Sequence, residues 1–138
     1  MTKASLDVLV SKRQATKETV VEIERNLQTL YVRWINGKLG REAVTDFCAD
    51  LCDGLILIEL IETLTGQKIG RVQRNPKSTF RQLDNVALFL AALRRHGVYT
   101  KTNIAPEDIV DSFDGNARPL MDVVGSLISR LDPMFTGQ

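Results

Sequence analysis

The stretch VTDFCADLCDGLILIELIETLTGQKIGRVQRNPKSTFRQLDN, Val44 to Asn85, decides the fold, because it joins a nearly all-apolar helix to an uninterrupted basic loop. From Leu55 to Thr63 only Glu59, Glu62 and Thr63 are polar. The run has helix length and is bounded by Asp53-Gly54 before it and Thr65-Gly66 after it, and such a helix is buried on most sides. From Gly66 to Arg81 the basic residues Lys68, Arg71, Arg74, Lys77 and Arg81 meet no acid along the sequence. Glu107 to Asp122 is predominantly acidic, so the molecule is electrostatically two-sided although its net charge is only +1. A positive face attracts polyanions and raises association rates, and the effect falls as salt rises.

Working outward, helix signals fill the chain. Residues 5 to 36 contain neither Gly nor Pro. Val20, Ile23, Leu27, Leu30, Tyr31 and Trp34 recur there at steps of three and four, which marks one apolar stripe from Val20 onward. Asn36-Gly37 is expected to end this helix. A short helix from about Ala43 turns Phe47, Cys48 and Leu51 inward. Thr79 and Gln82 have capping-box spacing, so the next helix starts there, buries Leu83, Val86, Phe89, Leu90 and Leu93, and stops at Gly97. Pro106 suits the first turn of a short helix through Val110. Leu120, Val123, Val124, Leu127, Ile128 and Leu131 form a single face that Asp132-Pro133 terminates. There is no strand signal, no repeat and no low-complexity tract.

At 138 residues and 43% hydrophobic the chain suits one domain with a proper core. No run approaches the roughly eighteen uncharged apolar residues of a membrane span, and the N-terminus lacks a signal-peptide pattern. Met1 is read as the natural start of a soluble intracellular protein. Cys48 and Cys52 lie four apart on one helix face, which reads as reduced core thiols and not as a disulfide or zinc site. His96 is the single histidine, GQKIGR lacks the spacing of a phosphate cradle, and no nucleophile motif is present, so neither an enzyme nor a cofactor is expected. Glu107, Asp108, Asp111 and Asp114 read as a solvated acidic helix end, because they lack the order of a calcium loop. Nucleic acid is not expected, since only Phe80 lies among the basic residues.

The ordered pieces resemble a calponin homology domain: Tyr31 to Asn36 (YVRWIN), Asp50 to Gly66 (DLCDGLILIELIETLTG), the basic loop from Lys68 to Arg81, Leu83 to Val98, then Asn103 to Val110 and a last apolar helix. The resemblance implies an all-α, compact helical globule over residues 27–131, with an N-terminal helical or partly flexible extension at 1–26 and a tail at 132–138. Trp34 matches the packing tryptophan of the family's first helix, and YVRWINGKL resembles the first-position domains of alpha-actinin, spectrin and filamin type. The implied function is binding of filamentous actin in the cytoplasm, at the cytoskeleton, with tubulin, another protein or a phosphoinositide as further partners. Actin-binding members grip the filament with the first helix, the basic segment and the last helix. Carried onto this chain, those regions nominate Gln28, Val32, Arg33 and Asn36, then Lys68, Arg71 and Arg74, then Arg118, Ser126, Ser129 and Arg130.

Two departures from the family pattern matter. DIVDSFDGN holds Ser112, Phe113 and Asp114 as an apparent insertion, and Gly125 stands where the actin-binding members carry a tryptophan. Phe113 is the expected filler of the missing indole's space. High-affinity actin binders of the family usually present two such domains in tandem, and one is seen here. The competing readings are a docking or oligomerisation domain that pairs through Leu6, Leu9, Val10, Val20 and Val21, and a microtubule or flagellar module.

Overall fold

The computed structural model describes residues 16–135, and Leu6, Leu9 and Val10 lie outside them. Among the described residues every regular element is helical: α1 (Thr16–Leu39), α2 (Phe47–Leu51), α3 (Leu55–Thr65), α4 (Thr79–Arg95), α5 (Pro106–Val110), a 3-10 turn (Asp111–Asp114) and α6 (Arg118–Leu131).

Helix α3 forms the centre of the core. Leu57, Ile58, Leu60 and Ile61 are all buried, while Glu59, Glu62 and Thr63 take the remaining side. Each such side chain contributes on the order of 2 kcal/mol on leaving water. Helices α1, α2 and α4 pack around α3, α5 lies on α4, and α6 returns to α1. Gly54 starts α3 at φ 84, and a Cβ there would come 2.9 Å from Asn85 Cβ, so the tight approach of α4 requires glycine.

The first helix ends at Leu39, two residues beyond Asn36-Gly37. Asn36 does not stop the helix because its side chain is occupied elsewhere: it donates to Val44 O and accepts from Val44 N, both at 2.9 Å. Gly40, at φ 72, supplies the left-handed stop. The apolar stripe is covered only from Leu27 onward, because the helix begins beyond the domain's edge. Val20, Val21 and Ile23 are exposed. At 1.5 Å per residue, residues 16–26 extend about 16 Å.

One helix start shifts, and one helix that starts at Thr79 as expected takes a different cap. Helix α2 begins at Phe47, not Ala43, with Asp46 accepting from Ala49 N at 3.0 Å. Helix α4 is capped by Ser78, not Thr79: Ser78 Oγ accepts from Arg81 N at 3.2 Å, and Gln82 turns back to Pro76 O. Helices α5 and α6 and the stop at Gly97 agree with their sequence signals.

The tail closes against the first helix. Trp34, 3% exposed, donates from Nε1 to Asp132 Oδ2 at 2.9 Å, Lys38 reaches the same oxygen at 3.0 Å, and the Phe135 ring lies 6.4 Å from the indole. Helix α1 is thereby clasped at its C-terminal half by the end of α6.

Candidate functional site

The basic loop is a fastened structure. After Gly66 closes α3, Ile69 N donates to Glu62 Oε2 at 2.7 Å, and Ile69 and Val72 pack against the core. Asn85, fully buried on α4, then holds the loop from within. Its Oδ1 accepts from Gln73 N at 2.8 Å, and its Nδ2 donates to Gln73 O at 3.0 Å and to Asp53 O at 3.3 Å. Between these anchors Lys68, Arg71 and Arg74 are exposed, as are Lys77 and Arg81. Arg71 adopts φ 65, a left-handed conformation that costs an ordinary residue about 1–2 kcal/mol. The anchors on either side fix that turn.

The loop is less isolated from acid in space than in sequence. Arg41 grips Glu59 through both carboxylate oxygens, and Lys68 adds to the field there. The Arg41 bond chiefly, against partial burial, holds the Glu59 carboxyl below its ordinary value. Phe80, 73% exposed, stands in the same basic neighbourhood on the first turn of α4. In the sequence it stands out only as the lone aromatic among the basic residues.

The four residues nominated on α1 separate into different roles. Arg33 is exposed. Gln28 is half-buried with Nε2 3.8 Å from Met121 Sδ, and Val32 is half-buried against the core, not wet. Asn36 serves the bond to Val44 described above and does not face outward.

The α6 residues Arg118, Ser126, Ser129 and Arg130 are brought together with Leu27 and Tyr31 of α1 around an open groove of about 790 Å³. Arg118 pairs with Glu24 at 3.1 Å. Ser126 Oγ donates to Asp122 Oδ1 at 3.3 Å, so this serine belongs to a structural network. Asp122 also accepts from Lys101 N and Thr102 N, both at 2.9 Å, and from Thr102 Oγ1 at 2.7 Å. Burial pushes the Asp122 carboxyl up, but these bonds outweigh it and hold the group below its ordinary value. Ser129 and Arg130 are exposed, and the Arg130 guanidinium lies over Gly97. The loop's own hydrogen bonds run to α3 and α4, so loop and groove are two separate surfaces.

Gly125 overturns one expectation. Phe113 is 64% exposed and fills nothing. The space belongs to Tyr31, whose hydroxyl lies 2.8 Å from where a Cβ at Gly125 would stand. The insertion is absorbed by the 3-10 turn, where buried Ser112 donates to Ile109 O at 2.6 Å and Phe113 is left outside.

Cys48 and Cys52 are free, and burial raises both thiols above their ordinary values. Among the described residues no group of His, Cys, Asp or Glu could hold a metal ion, and no helix is long and apolar enough to cross a membrane.

Comparison with known proteins matches residues 25–132 to the calponin homology (CH) domain. Over 103 residues, 72% of this chain, it is 36% identical to "Alpha-actinin-like protein 1" of Schizosaccharomyces pombe. It is 31% identical over 121 residues, 86% of the chain, to the erythrocytic spectrin beta chain of Mus musculus, and 33% identical over 114 residues, 80% of the chain, to human Dixin. The matched stretch makes up 16%, 6% and 16% of those three proteins.

Proposed function

We propose, because this chain belongs to the calponin homology domain family, that it is a non-catalytic module that attaches to the cytoskeleton by binding filamentous actin. The module comprises residues 27–131, with 1–26 as an extension and 132–138 as a tail, and it works in the cytoplasm. The observation that carries this reading is the fastened basic loop: Ile69, Val72 and Gln73 are fixed to the domain while Lys68, Arg71 and Arg74 project from it. A strained backbone at an exposed arginine is the kind of outlier that points to use. A loop already ordered loses little conformational freedom on binding, which is the main cost that weakens a flexible charged segment.

The acidic side of a filament is met by charge, so binding weakens with salt. Arg33 on α1 and Ser129 and Arg130 on α6 join as outlying contacts. The test is pelleting of the purified chain with actin filaments and, in parallel, with stabilised microtubules, at low and physiological salt. Salt-sensitive pelleting with actin alone supports the proposal. Pelleting with microtubules alone transfers the loop to tubulin, and pelleting with neither removes the filament reading.

A further inference from the structure

One hydroxyl stands apart from the others in this fold. Among the described residues from Thr29 onward, every serine and threonine side chain except Thr79 and Ser129 is held in a hydrogen bond. Ser129 lies inside α6, where the backbone is committed to the helix. Thr79 is exposed, and it opens α4 after a stretch with no regular structure between Thr65 and Thr79. Ser78 just before it is extended, at φ −108 and ψ 153. The Ser78 hydroxyl is already engaged, accepting from Arg81 N at 3.2 Å, so the cap of α4 does not depend on Thr79.

Bases flank this free hydroxyl on both sides. In Arg74-Asn75-Pro76-Lys77-Ser78-Thr79-Phe80-Arg81, Lys77 stands two residues before it and Arg81 two after. Both are exposed, and neither joins an ion pair among the described residues. Flanking charge is one means by which protein kinases choose their substrates. An accessible hydroxyl set among bases fits a kinase whose subsites are acidic. Entry into its cleft asks only that the first turn of α4 open, and helix ends fray.

We propose that Thr79 is a phosphorylation site for a basic-directed protein kinase and that its phosphate switches off filament binding by the loop, the second half resting on the actin reading above. In the transfer, Thr79 Oγ1 bonds to the terminal phosphorus of a nucleoside triphosphate. The bond from that phosphorus to the bridging oxygen breaks, the nucleoside diphosphate leaves, and the hydroxyl proton passes to a carboxylate base of the kinase. The phosphate carries a charge of about −1.5 to −2 at neutral pH. It stands between Lys77 and Arg81, at the edge of a loop whose strength is the absence of acid from Gly66 to Arg81. Gln82 ties Pro76 to the first turn of α4 at 3.2 Å, so loop and acceptor keep their spacing. An acidic filament surface then meets like charge there, while the fold loses no bond that it uses.

The test treats the full chain with ATP and the catalytic domain of protein kinase C, which reads bases on both sides of its acceptor, and maps the product by fragment mass spectrometry. A single phosphate on Thr79 is expected. Thr79→Val should abolish the transfer while pelleting with actin as the parent does. Lys77→Ala with Arg81→Ala should slow the transfer about tenfold. The phosphorylated chain should bind filaments about tenfold more weakly at low salt, less so at physiological salt, with its melting midpoint within a few degrees of the parent's. No transfer, or transfer to Ser78 or another residue, overturns the site. A phosphorylated chain that pellets like its parent overturns the switch and leaves the actin reading standing. A parent that does not pellet removes the actin reading and the switch with it, while the mapped phosphate still decides the site.

Discussion

Asn85→Ala tests whether the basic loop is held by one buried amide. The side chain is wholly inaccessible and makes three hydrogen bonds, to Gln73 N, Gln73 O and Asp53 O. At about 1 kcal/mol net for each, the substitution removes on the order of 3 kcal/mol. For a domain of this size that lowers the melting midpoint by about 10 °C. The loss is unevenly distributed. Gln73 sits on a surface loop and can hydrate its freed groups by swinging outward, so the loop opens before the helices do. Hydrogen exchange of the amides between 67 and 77 is therefore expected to accelerate about a hundredfold, ahead of exchange in α3. Denaturant titration gives the global term, and exchange followed by mass spectrometry gives the local one. A stability loss below about 1 kcal/mol together with unchanged loop exchange would refute the assignment of Asn85 as the clip.

Trp34→Ala is expected to cost about 3–5 kcal/mol through lost packing and release of the tail, read as a collapsed or absent melting transition. Reversing Lys68, Arg71 and Arg74 to Glu should leave the melting midpoint within a few degrees while abolishing actin pelleting; unaltered pelleting moves the contact elsewhere. Gly125→Trp should destabilise by collision with Tyr31, and Tyr31→Ala should restore part of the loss in the double variant; additive effects would separate the two positions. Asp50, held down chiefly by the Thr45 and Asp46 amides, and Asp122 bind protons less readily folded than unfolded. Their contribution is therefore present above the ordinary carboxylate value and lost as pH falls through the folded one. Melting midpoints from pH 6 down to about 2.5 should fall, with a shallower fall for Asp122→Asn.

How much of this was legible in the sequence depended on how local each cause was. Pro106 and the α6 stripe announce their helices through spacing alone. Trp34 is located by its family context, and the charge of the basic loop is plain on inspection. The capping of α4 was misread by one residue, because Ser78 and Thr79 both carry a hydroxyl and only backbone direction decides between them. Asn36 looked outward because periodicity does not reveal a bond to Val44 across a turn. Asn85 joins residues 12 and 32 positions away, a relation that no window along the chain contains. Tyr31 and Gly125 likewise meet only after α1 and α6 are packed, which is why Phe113 looked the better filler.

The clasp of Trp34 by Asp132 and Phe135 has a mechanical consequence. A pull on the tail meets the indole contact and the Lys38 pair before it reaches the hydrogen bonds of α6. The first yield under load would therefore be release of the tail from α1, a short and reversible extension that spares the core.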